Sequence, residues 1–341
     1  MESFDFYGTS LTNLGYRGYL SFPNVNISIV SNPANARTGN GYINIANNTT
    51  FQLVQKPLDN ISNECGQGAA FNWLSTENRA ANVGLYFGPA GNVGSVRIVA
   101  NGLFGVSVWQ GTTFRGLSPN NLWVVGSYNW LEAKVTAGVG TGAIEVKLNG
   151  QTVVTLTGLT ISPIEVCAVG KFDNGSDDSA QIARIDDWVI WDTTGTINND
   201  FLGDRRVVTL YPDADTIEAD WTPSSGSDGF AVIDETVADD AGFITANNAG
   251  DISEFEKQPI PVDVNTVAAI CPVARAFKDS AGPNTFTIGV NSAGNIINSP
   301  EFLPNTTVAY FSEIFDTNPN GDIAWTRAAL DAATVRVTRV I

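Results

Sequence analysis

The segment IEVKLNGQTVVTL, residues 144–156, decides the fold class of this chain. Its first half alternates apolar Ile144, Val146 and Leu148 with polar neighbours, which is the pattern of a strand that buries one face. Asn149 and Gly150 then supply the two positive-φ positions of a type I′ hairpin turn, and apolar residues continue the buried face on the return strand. The segment therefore predicts an antiparallel β-hairpin.

Similar short strands recur through the first half of the chain at intervals of roughly ten to fifteen residues, separated by Gly, Asn or Pro. This spacing is typical of an antiparallel sandwich and not of alternating strands and helices. The other strands predicted before residue 192 are residues 41–45, 51–54, 68–73, 82–87, 93–100, 104–109, 130–135, 167–172 and 181–191.

The second half of the sequence predicts further strands and one helix near the C-terminus. The helix is predicted at residues 325–333, where Ala and Leu favour it and Thr326 caps its start. Residues 335–341, VRVTRVI, alternate again and predict a closing strand. The remaining strands predicted in this half are residues 207–211, 230–233, 243–246, 252–257, 267–278, 285–290 and 308–317.

A chain of 341 residues is long enough for about two domains. We expect an all-β protein of two β-sandwiches, at residues 1–197 and 207–341, of which the second is smaller and contains the short helix. Residues 198–206 are expected to form an ordered junction, with Phe201 or Leu202 buried between the sandwiches. Arg205 and Arg206 are expected to pair with the nearby acidic residues Asp200, Asp204, Asp213 and Asp215.

The charge balance excludes several classes of partner. The chain has 35 acidic and 18 basic residues, and its formal net charge of −17 repels nucleic acids and anionic membranes. It contains no histidine, so the commonest general base and zinc ligand are missing, and we expect a protein that is not an enzyme. We expect neither a signal peptide nor insertion into a membrane, because no apolar stretch of sufficient length is visible.

The three cysteines, Cys65, Cys167 and Cys271, are far apart in the sequence and show no metal-binding or disulfide spacing. Cys167 and Cys271 lie in apolar runs, so we expect both to be buried free thiols. Free thiols are typical of a protein that folds in a reducing cytosol.

Three features are candidates for a site, and each has a competing structural explanation. DNGSDD, residues 173–178, lacks the spacing of an EF-hand loop and favours a polar turn. Glu254 and Glu256 lack the strand motif of jelly-roll glucanases, so glycoside cleavage has little support. Five aromatic residues suit either core packing or a sugar-binding surface, and they are Trp109, Phe114, Trp123, Tyr128 and Trp130. The sequence assigns no catalytic, cofactor-binding or metal-ligating residue.

The segment IDDWVIWD, residues 185–192, followed by NNDFLGDRRVVTLYPDAD, residues 198–215, resembles the middle of virion structural and tail proteins of tailed bacteriophages. Residues 130–159 resemble the paired central strands of the jelly rolls in these proteins, and ESFDFYGT, residues 2–9, resembles their opening. The resemblance covers most of the chain beyond residue 130. It implies a concanavalin A-like (laminin-G-like) jelly roll followed by a second β-sandwich.

This resemblance implies a virion protein that is displayed on the particle surface and binds other virion proteins and copies of itself, with a trimer favoured. Two placements stay open, the tail (tip, baseplate or fibre apparatus, with adhesion to a host surface glycan) and the head, as a capsid decoration protein. A carbohydrate-binding, lectin-like module is a third alternative. Jelly rolls of this type also imply a structural calcium ion at Asp186 and Asp187, with Asp5 as a further ligand. No other cofactor is expected.

Overall fold

The computed structural model describes residues 20–21, 27–32, 34–37, 41–45, 52–74, 82–171, 183–236, 240–279 and 282–341. In these ranges the protein is almost entirely β-structure, with 25 strands and one short α-helix. Backbone contacts divide the chain into two compact units, Met1–Val208 and Thr209–Ile341. The predicted all-β fold class, with its short helix near the C-terminus, is therefore confirmed.

The first unit is a β-sandwich. Its described strands are β1 (Leu20–Ser21), β2 (Ile27–Ser31), β3 (Gly41–Ile45), β4 (Gln52–Ser62), β5 (Glu64–Trp73), β6 (Val83–Gly88), β7 (Val96–Ala100), β8 (Val106–Gln110), β9 (Thr113–Leu117), β10 (Tyr128–Thr136), β11 (Gly138–Leu148), β12 (Gln151–Ile161), β13 (Ile164–Lys171) and β14 (Ala183–Asp192). Sheet I has the strand order β1-β4-β13-β6-β7-β8-β9. Sheet II has the order β12-β11-β10-β5-β14-β3-β2.

The predicted hairpin shows how alternation in the sequence builds this sandwich. Strands β11 and β12 pair antiparallel, with Ile144 opposite Leu156. Asn149 and Gly150 join them, and both have positive φ, as a type I′ turn requires. Ile144 and Val146 are completely buried among the inward-facing residues of both sheets, which form the main core of the unit.

A glutamine joins the two sheets inside this core. Gln67 of β5 donates from Nε2 to the carbonyl oxygen of Tyr86 in sheet I at 2.7 Å, and its Oε1 accepts from the indole of Trp188 at 3.0 Å. These two bonds satisfy a buried polar group that would otherwise destabilise the fold. Cys65 of β5 and Cys167 of β13 also meet here, with their Sγ atoms 3.5 Å apart.

The second unit is smaller. Its described strands are β15 (Pro212–Ala219), β16 (Thr222–Pro223), β17 (Ile244–Thr245), β18 (Ile252–Lys257), β19 (Val273–Ala276), β20 (Phe286–Ser292), β21 (Asn295–Asn298), β22 (Ala309–Ser312), β23 (Thr317–Asn318), β24 (Ile323–Ala324) and β25 (Thr334–Arg339). The main sheet has the order β15-β18-β25-β20-β21. Phe286 of this sheet packs edge-on against Phe311 of the β19–β22 ladder, with ring centroids 5.2 Å apart, so sheet and ladder share an apolar layer.

The C-terminal elements form largely as predicted. Helix α1, Arg327–Asp331, is shorter than the predicted helix at residues 325–333. The Thr326 side chain caps its start by accepting a hydrogen bond from the N–H of Ala329 at 3.1 Å. The alternating residues that follow form β25, which pairs with both β18 and β20 and ties the C-terminal end of the chain into the main sheet.

Two predicted strands are wrong. Residues 207–211 are irregular because the N–H of Val207 bonds to the carboxylate of Asp187 at 2.9 Å rather than to a neighbouring strand. Residues 230–233 contain a 3₁₀ turn, Phe230–Val232, which the Asp215 carboxylate stabilises by accepting the backbone N–H groups of Gly229 and Phe230. In both places a side-chain carboxylate binds backbone groups that a ladder would have used.

The sequence also does not predict β9, because TFRGL lacks clear alternation of apolar and polar residues. Burial of the cysteines differs in part from expectation. Cys167 is buried as predicted, but Cys271 is only half-buried, and Cys65 is buried as well. Among the described residues, no helix has the length and hydrophobicity needed to cross a bilayer.

Candidate functional site

One row of outward-facing residues crosses sheet I and ends at its β9 edge. The strand register places each member beside the next on the neighbouring strand, in the order Gln55, Ala168, Tyr86, Arg97, Trp109 and Phe114. Exposure increases along the row, because Gln55 and Tyr86 are buried, Trp109 is half-buried and Phe114 is 49% exposed. The row therefore opens to solvent at the β9 edge of the sandwich.

The exposed end of the row forms an apolar surface, which we call the platform and define as Trp109, Phe114 and Leu117. The rings of Trp109 and Phe114 meet edge to face, with centroids 5.3 Å apart and an interplanar angle of 71°. Leu117 lies opposite Ser107 and is 50% exposed. The Trp109 indole donates to Ser107 Oγ at 3.1 Å, which orients the ring. A β-bulge between Val108 and Trp109 brings Phe114 and Leu117 to the same face.

A cationic group lies beside the platform. The guanidinium carbon of Arg97 is 5.5 Å from the centroid of the Trp109 ring, and its Nη2 donates to the carbonyl of Gly111 at 2.6 Å. Burial lowers the pKa of Arg97, and an interaction with Tyr86 acts in the opposite direction. Because the ordinary pKa of arginine is so high, the group keeps its charge and interacts favourably with the indole.

The other members of the predicted aromatic cluster do not belong to this surface. Trp123 lies in the core, 4.8 Å from Trp73 between ring centroids. Trp130 is buried and Tyr128 half-buried, and both lie on the outer face of sheet II. All eight tryptophans are in the described ranges, and six of them are buried, so an indole close to solvent is uncommon here. Leu117 completes the platform. The sequence did not predict this, because Leu117 is a single aliphatic residue outside the aromatic cluster.

The outer face of sheet II is covered around Trp130 and Trp191, in contrast to the platform. The indoles of Trp130 and Trp191 lie over the central strand β5, where Gly66 and Gly68 leave room for them. A Cβ atom at Gly66 would overlap the Trp191 ring, and one at Gly68 would approach Trp130 to 2.9 Å. Close packing, and not a turn, is therefore the reason for glycine at these two strand positions.

Residues 200–207, which we call the strap, run across these indoles. The Phe201 ring lies 6.1 Å from Trp191 between centroids, and Lys147 Nζ is 3.9 Å from the Phe201 centroid. Leu202 packs in the same cluster, and Lys134 Nζ binds Asp200 at 2.8 Å. Phe201 and Leu202, which the sequence placed between the two sandwiches, thus pack against sheet II within the first unit.

A buried carboxylate holds the middle of the strap. Oε1 of Glu132 accepts hydrogen bonds from the N–H groups of Leu202 at 3.0 Å and Gly203 at 2.9 Å. Desolvation raises the pKa of Glu132, although the Trp130 side chain and the two backbone N–H groups partly offset this effect. Within the described chain, its Oε2 has no hydrogen-bond partner.

Asp186 and Asp187, the predicted calcium ligands, bind Arg37 and the end of the strap. Asp186 accepts the backbone N–H of Arg37 at 2.9 Å, and Asp187 forms an ion pair with its guanidinium at 3.2 Å. The second oxygen of Asp187 accepts the N–H of Val207 at 2.9 Å. Arg37 also pairs with Asp204 in the strap. The arrangement gives these buried carboxylates a structural role, with the positive charge supplied by Arg37.

The remaining candidate residues also have structural partners. Of the acidic residues expected near Arg205 and Arg206, Asp200 and Asp204 are those bound by Lys134 and Arg37. Glu254 is buried and accepts a hydrogen bond from Asn291 at 2.9 Å, whereas Glu256 is exposed.

In the described ranges, no group of three or more His, Cys, Asp or Glu is arranged to hold a metal ion. Asp5 and the loop at residues 173–178 lie outside those ranges. The predicted calcium ion at Asp186 and Asp187 therefore stays a prediction.

Comparison with known proteins identifies a fold and no family. No family model and no curated protein matches the chain. Among solved structures, the alginate lyase Aly36B is similar over 55% of this chain and 94% of its own, with 12% identity and a TM-score of 0.41. The carbohydrate-binding module CBM66 from Bacillus subtilis matches 51% of this chain and 94% of its own, with 10% identity and a TM-score of 0.32. A Trypanosoma rangeli sialidase matches 51% of this chain but only 30% of its own, with 15% identity and a TM-score of 0.33.

These similarities require one correction. The absence of histidine and of a known carboxylate motif predicted that the chain is not an enzyme, but proteins that resemble it in fold include alginate lyases and a sialidase. The prediction that the chain is not an enzyme is therefore wrong, because the proteins of similar fold include enzymes. At such low identity the similarity concerns the fold alone and assigns neither a ligand nor a reaction to this chain.

Proposed function

We propose that the protein acts by binding, and that the platform holds a saccharide of a host surface. The observation that carries this proposal is the exposed aromatic and aliphatic surface of Trp109, Phe114 and Leu117 in a unit whose other indoles are buried. Pyranose rings present C–H faces that pack on aromatic rings. Ser107 and Arg97 are buried beneath the platform and hold the Trp109 ring in place.

A glycan array probed with the full chain, followed by calorimetry on the saccharides it retains, tests this proposal. Phe114→Ala is expected to weaken binding by about tenfold or more, because removing one stacking partner costs about 1–2 kcal/mol. Phe277→Ala is the matched control, since Phe277 is 45% exposed and lies in the second unit. Retention of no saccharide, or equal affinity of Phe114→Ala and the unsubstituted chain, would contradict the proposal.

We further propose that the protein works as a surface component of a tailed-phage virion, in contact with other virion proteins and with copies of itself. The support is the resemblance of residues 185–192 and 198–215 to virion structural proteins. Attachment to the tail fits a role in host-surface adhesion, where many copies raise avidity. Decoration of the head is the alternative placement.

Quantitative mass spectrometry of purified virions separates the two placements. Tens of copies per particle indicate the tail, and hundreds indicate the capsid. Absence of the chain from virions that are otherwise complete would contradict the virion proposal and leave the saccharide-binding proposal standing. The two proposals are therefore tested independently.

A further inference from the structure

The platform lies in a long stretch of sequence that has no acidic residues. The chain has 35 acidic residues, yet the sequence between Glu77 and Glu132 contains no Asp or Glu. The same stretch includes strands β6 to β9 of sheet I, which carry Arg97 and Arg115. A chain of net charge −17 thus carries a local excess of positive charge where its exposed aromatic surface lies.

Strand β12 of sheet II lies beside β9 at the edge of the sandwich, and it adds no negative charge there. Leu156 and Val154 of β12 approach β9, where a Cβ at Gly116 would contact them at 3.2 and 3.3 Å. The sequence of β12, QTVVTLTGLTI, has no charged residue. In the same sheet as β9, but four strands away from it, the Glu165 carboxylate of β13 accepts the N–H of Ala90 at 2.8 Å.

Arg115 is positioned to meet a ligand at this edge. It is exposed and sits in the β8–β9 pairing at the bulge that separates Phe114 from Gly116. Its Nε donates to Gln110 Oε1 at 3.0 Å, and the Gln110 amide in turn binds the carbonyl of Thr160. Gln110 follows Trp109 on β8 and Thr160 belongs to β12 of sheet II, so Arg115 lies at the open edge between the two sheets, beside the platform and not on its face. No described residue accepts a hydrogen bond from its Nη groups, so the oriented guanidinium can still form paired bonds with an oxyanion.

We infer that the ligand of the platform is an anionic saccharide, one that carries carboxylate, sulfate or phosphate groups. The sugar ring packs on Phe114 and Trp109, and the saccharide extends past the β9 edge, where its acidic group binds Arg115. Arg97 acts as a positioning residue, because its hydrogen bond to Gly111 and its contact with Trp109 fix the aromatic surface. This inference rests on the proposed saccharide binding and specifies the charge of the ligand.

The test uses a matched pair of ligands, an oligosaccharide of uronic acid units and the same oligosaccharide after reduction of its carboxyl groups to alcohols. We expect the unsubstituted full chain to bind the acidic form about tenfold more tightly at low salt, with the preference decreasing as salt screens the charges. Arg115→Gln is expected to remove the preference and keep the weaker binding of the neutral form. Lys278→Gln, which removes a positive charge in the second unit, is the control and is expected to keep the preference.

The outcomes separate this inference from the proposal beneath it. Equal affinity for the acidic and reduced forms, with both weakened by Phe114→Ala, would overturn the inference and leave saccharide binding intact. A preference that survives Arg115→Gln would likewise contradict the assigned contact. Binding of neither form, together with no binding on the wider array, would overturn the proposed function itself.

Discussion

The two outer faces of the first sandwich come from the same kind of alternating strand but end in different environments. On sheet II, outward-facing Trp130 and Trp191 are covered by the strap and are buried. On sheet I, the platform at the β9 edge stays in contact with solvent. The comparison shows that an outward aromatic residue becomes part of the core when another segment covers it, and is available for binding where none does.

The polar groups of the two faces differ in the same way. Under the strap, Glu132 and Asp187 are completely buried and bound to backbone N–H groups. At the platform, Arg115 keeps hydrogen-bonding groups that no described residue uses. Substitutions at the closed face should therefore change the stability of the fold, whereas substitutions at the open face should change binding.

The largest effect is expected from Gly66→Ala. The added Cβ overlaps the Trp191 indole, so the ring must leave its place over β5, and we expect a loss of about 3 kcal/mol in the free energy of unfolding. Gly282→Ala is the control, because the nearest atom to its Cβ lies at an ordinary 3.6 Å. Urea denaturation monitored by tryptophan fluorescence measures both. A Gly66→Ala protein as stable as the control would contradict the closed face described here.

Asp187→Asn should have the next largest effect. Asp187 has a φ of 53°, a conformation that asparagine also tolerates, so this variant removes the charge without adding backbone strain. It leaves the half-buried guanidinium of Arg37 with fewer partners, although Asp204 and the Arg205 carbonyl remain. We expect a loss of about 2 kcal/mol by chemical denaturation, with the strap more accessible to hydrogen exchange. Unchanged exchange at residues 204–207 would show that Arg37 and Asp187 do not fasten the strap.

Glu132→Gln tests the buried carboxylate through pH. The raised pKa means that the folded state binds the proton more tightly than the unfolded state, so the contribution of Glu132 to stability is greatest at low pH. It decreases as pH rises from the ordinary glutamate pKa through the raised one. Glutamine keeps an acceptor for Leu202 and Gly203 but does not titrate. The stability of the unsubstituted protein relative to Glu132→Gln should therefore fall as pH rises from about 4, the ordinary glutamate pKa, through the raised pKa of Glu132.

Denaturation curves of both proteins across this pH range provide the measurement. The difference between the two curves isolates Glu132 from the other carboxylates, which titrate in both proteins. A difference that stays constant with pH would show that burial does not perturb this group. Glu132→Ala completes the series, because it removes the acceptor altogether and should cost about 2 kcal/mol relative to Glu132→Gln at every pH.

Local pattern was sufficient to predict many elements. Alternation and the Asn149–Gly150 turn predict the β11–β12 hairpin, and residues 252–257 are predicted with the observed bounds of β18. The helix cap at Thr326 follows equally from local chemistry. These features depend on neighbours in the sequence, whose contributions can be read directly from residue type.

Whether each aromatic residue is buried or exposed could not be predicted in the same way. Trp130 and Trp109 both face outward on alternating strands, yet only Trp130 is covered, by a strap about 70 residues further along the chain. Alternation tells which side of a sheet a residue occupies but not whether a distant segment lies over that side. The β-bulge that aligns Phe114 and Leu117 is equally invisible, because it arises from pairing between strands.

The smallest change in stability, and the sharpest comparison of the two faces, comes from one phenylalanine on each. Phe114 is half exposed on the platform, so Phe114→Ala should alter the free energy of unfolding by no more than about 0.5 kcal/mol. Phe201 packs between Trp191 and Lys147, so Phe201→Ala should cost about 1–2 kcal/mol. Saccharide binding should show the reverse order, weakened by about tenfold or more in Phe114→Ala and unchanged in Phe201→Ala. If both substitutions changed stability and binding in parallel, the distinction between a closed structural face and an open binding face would fail.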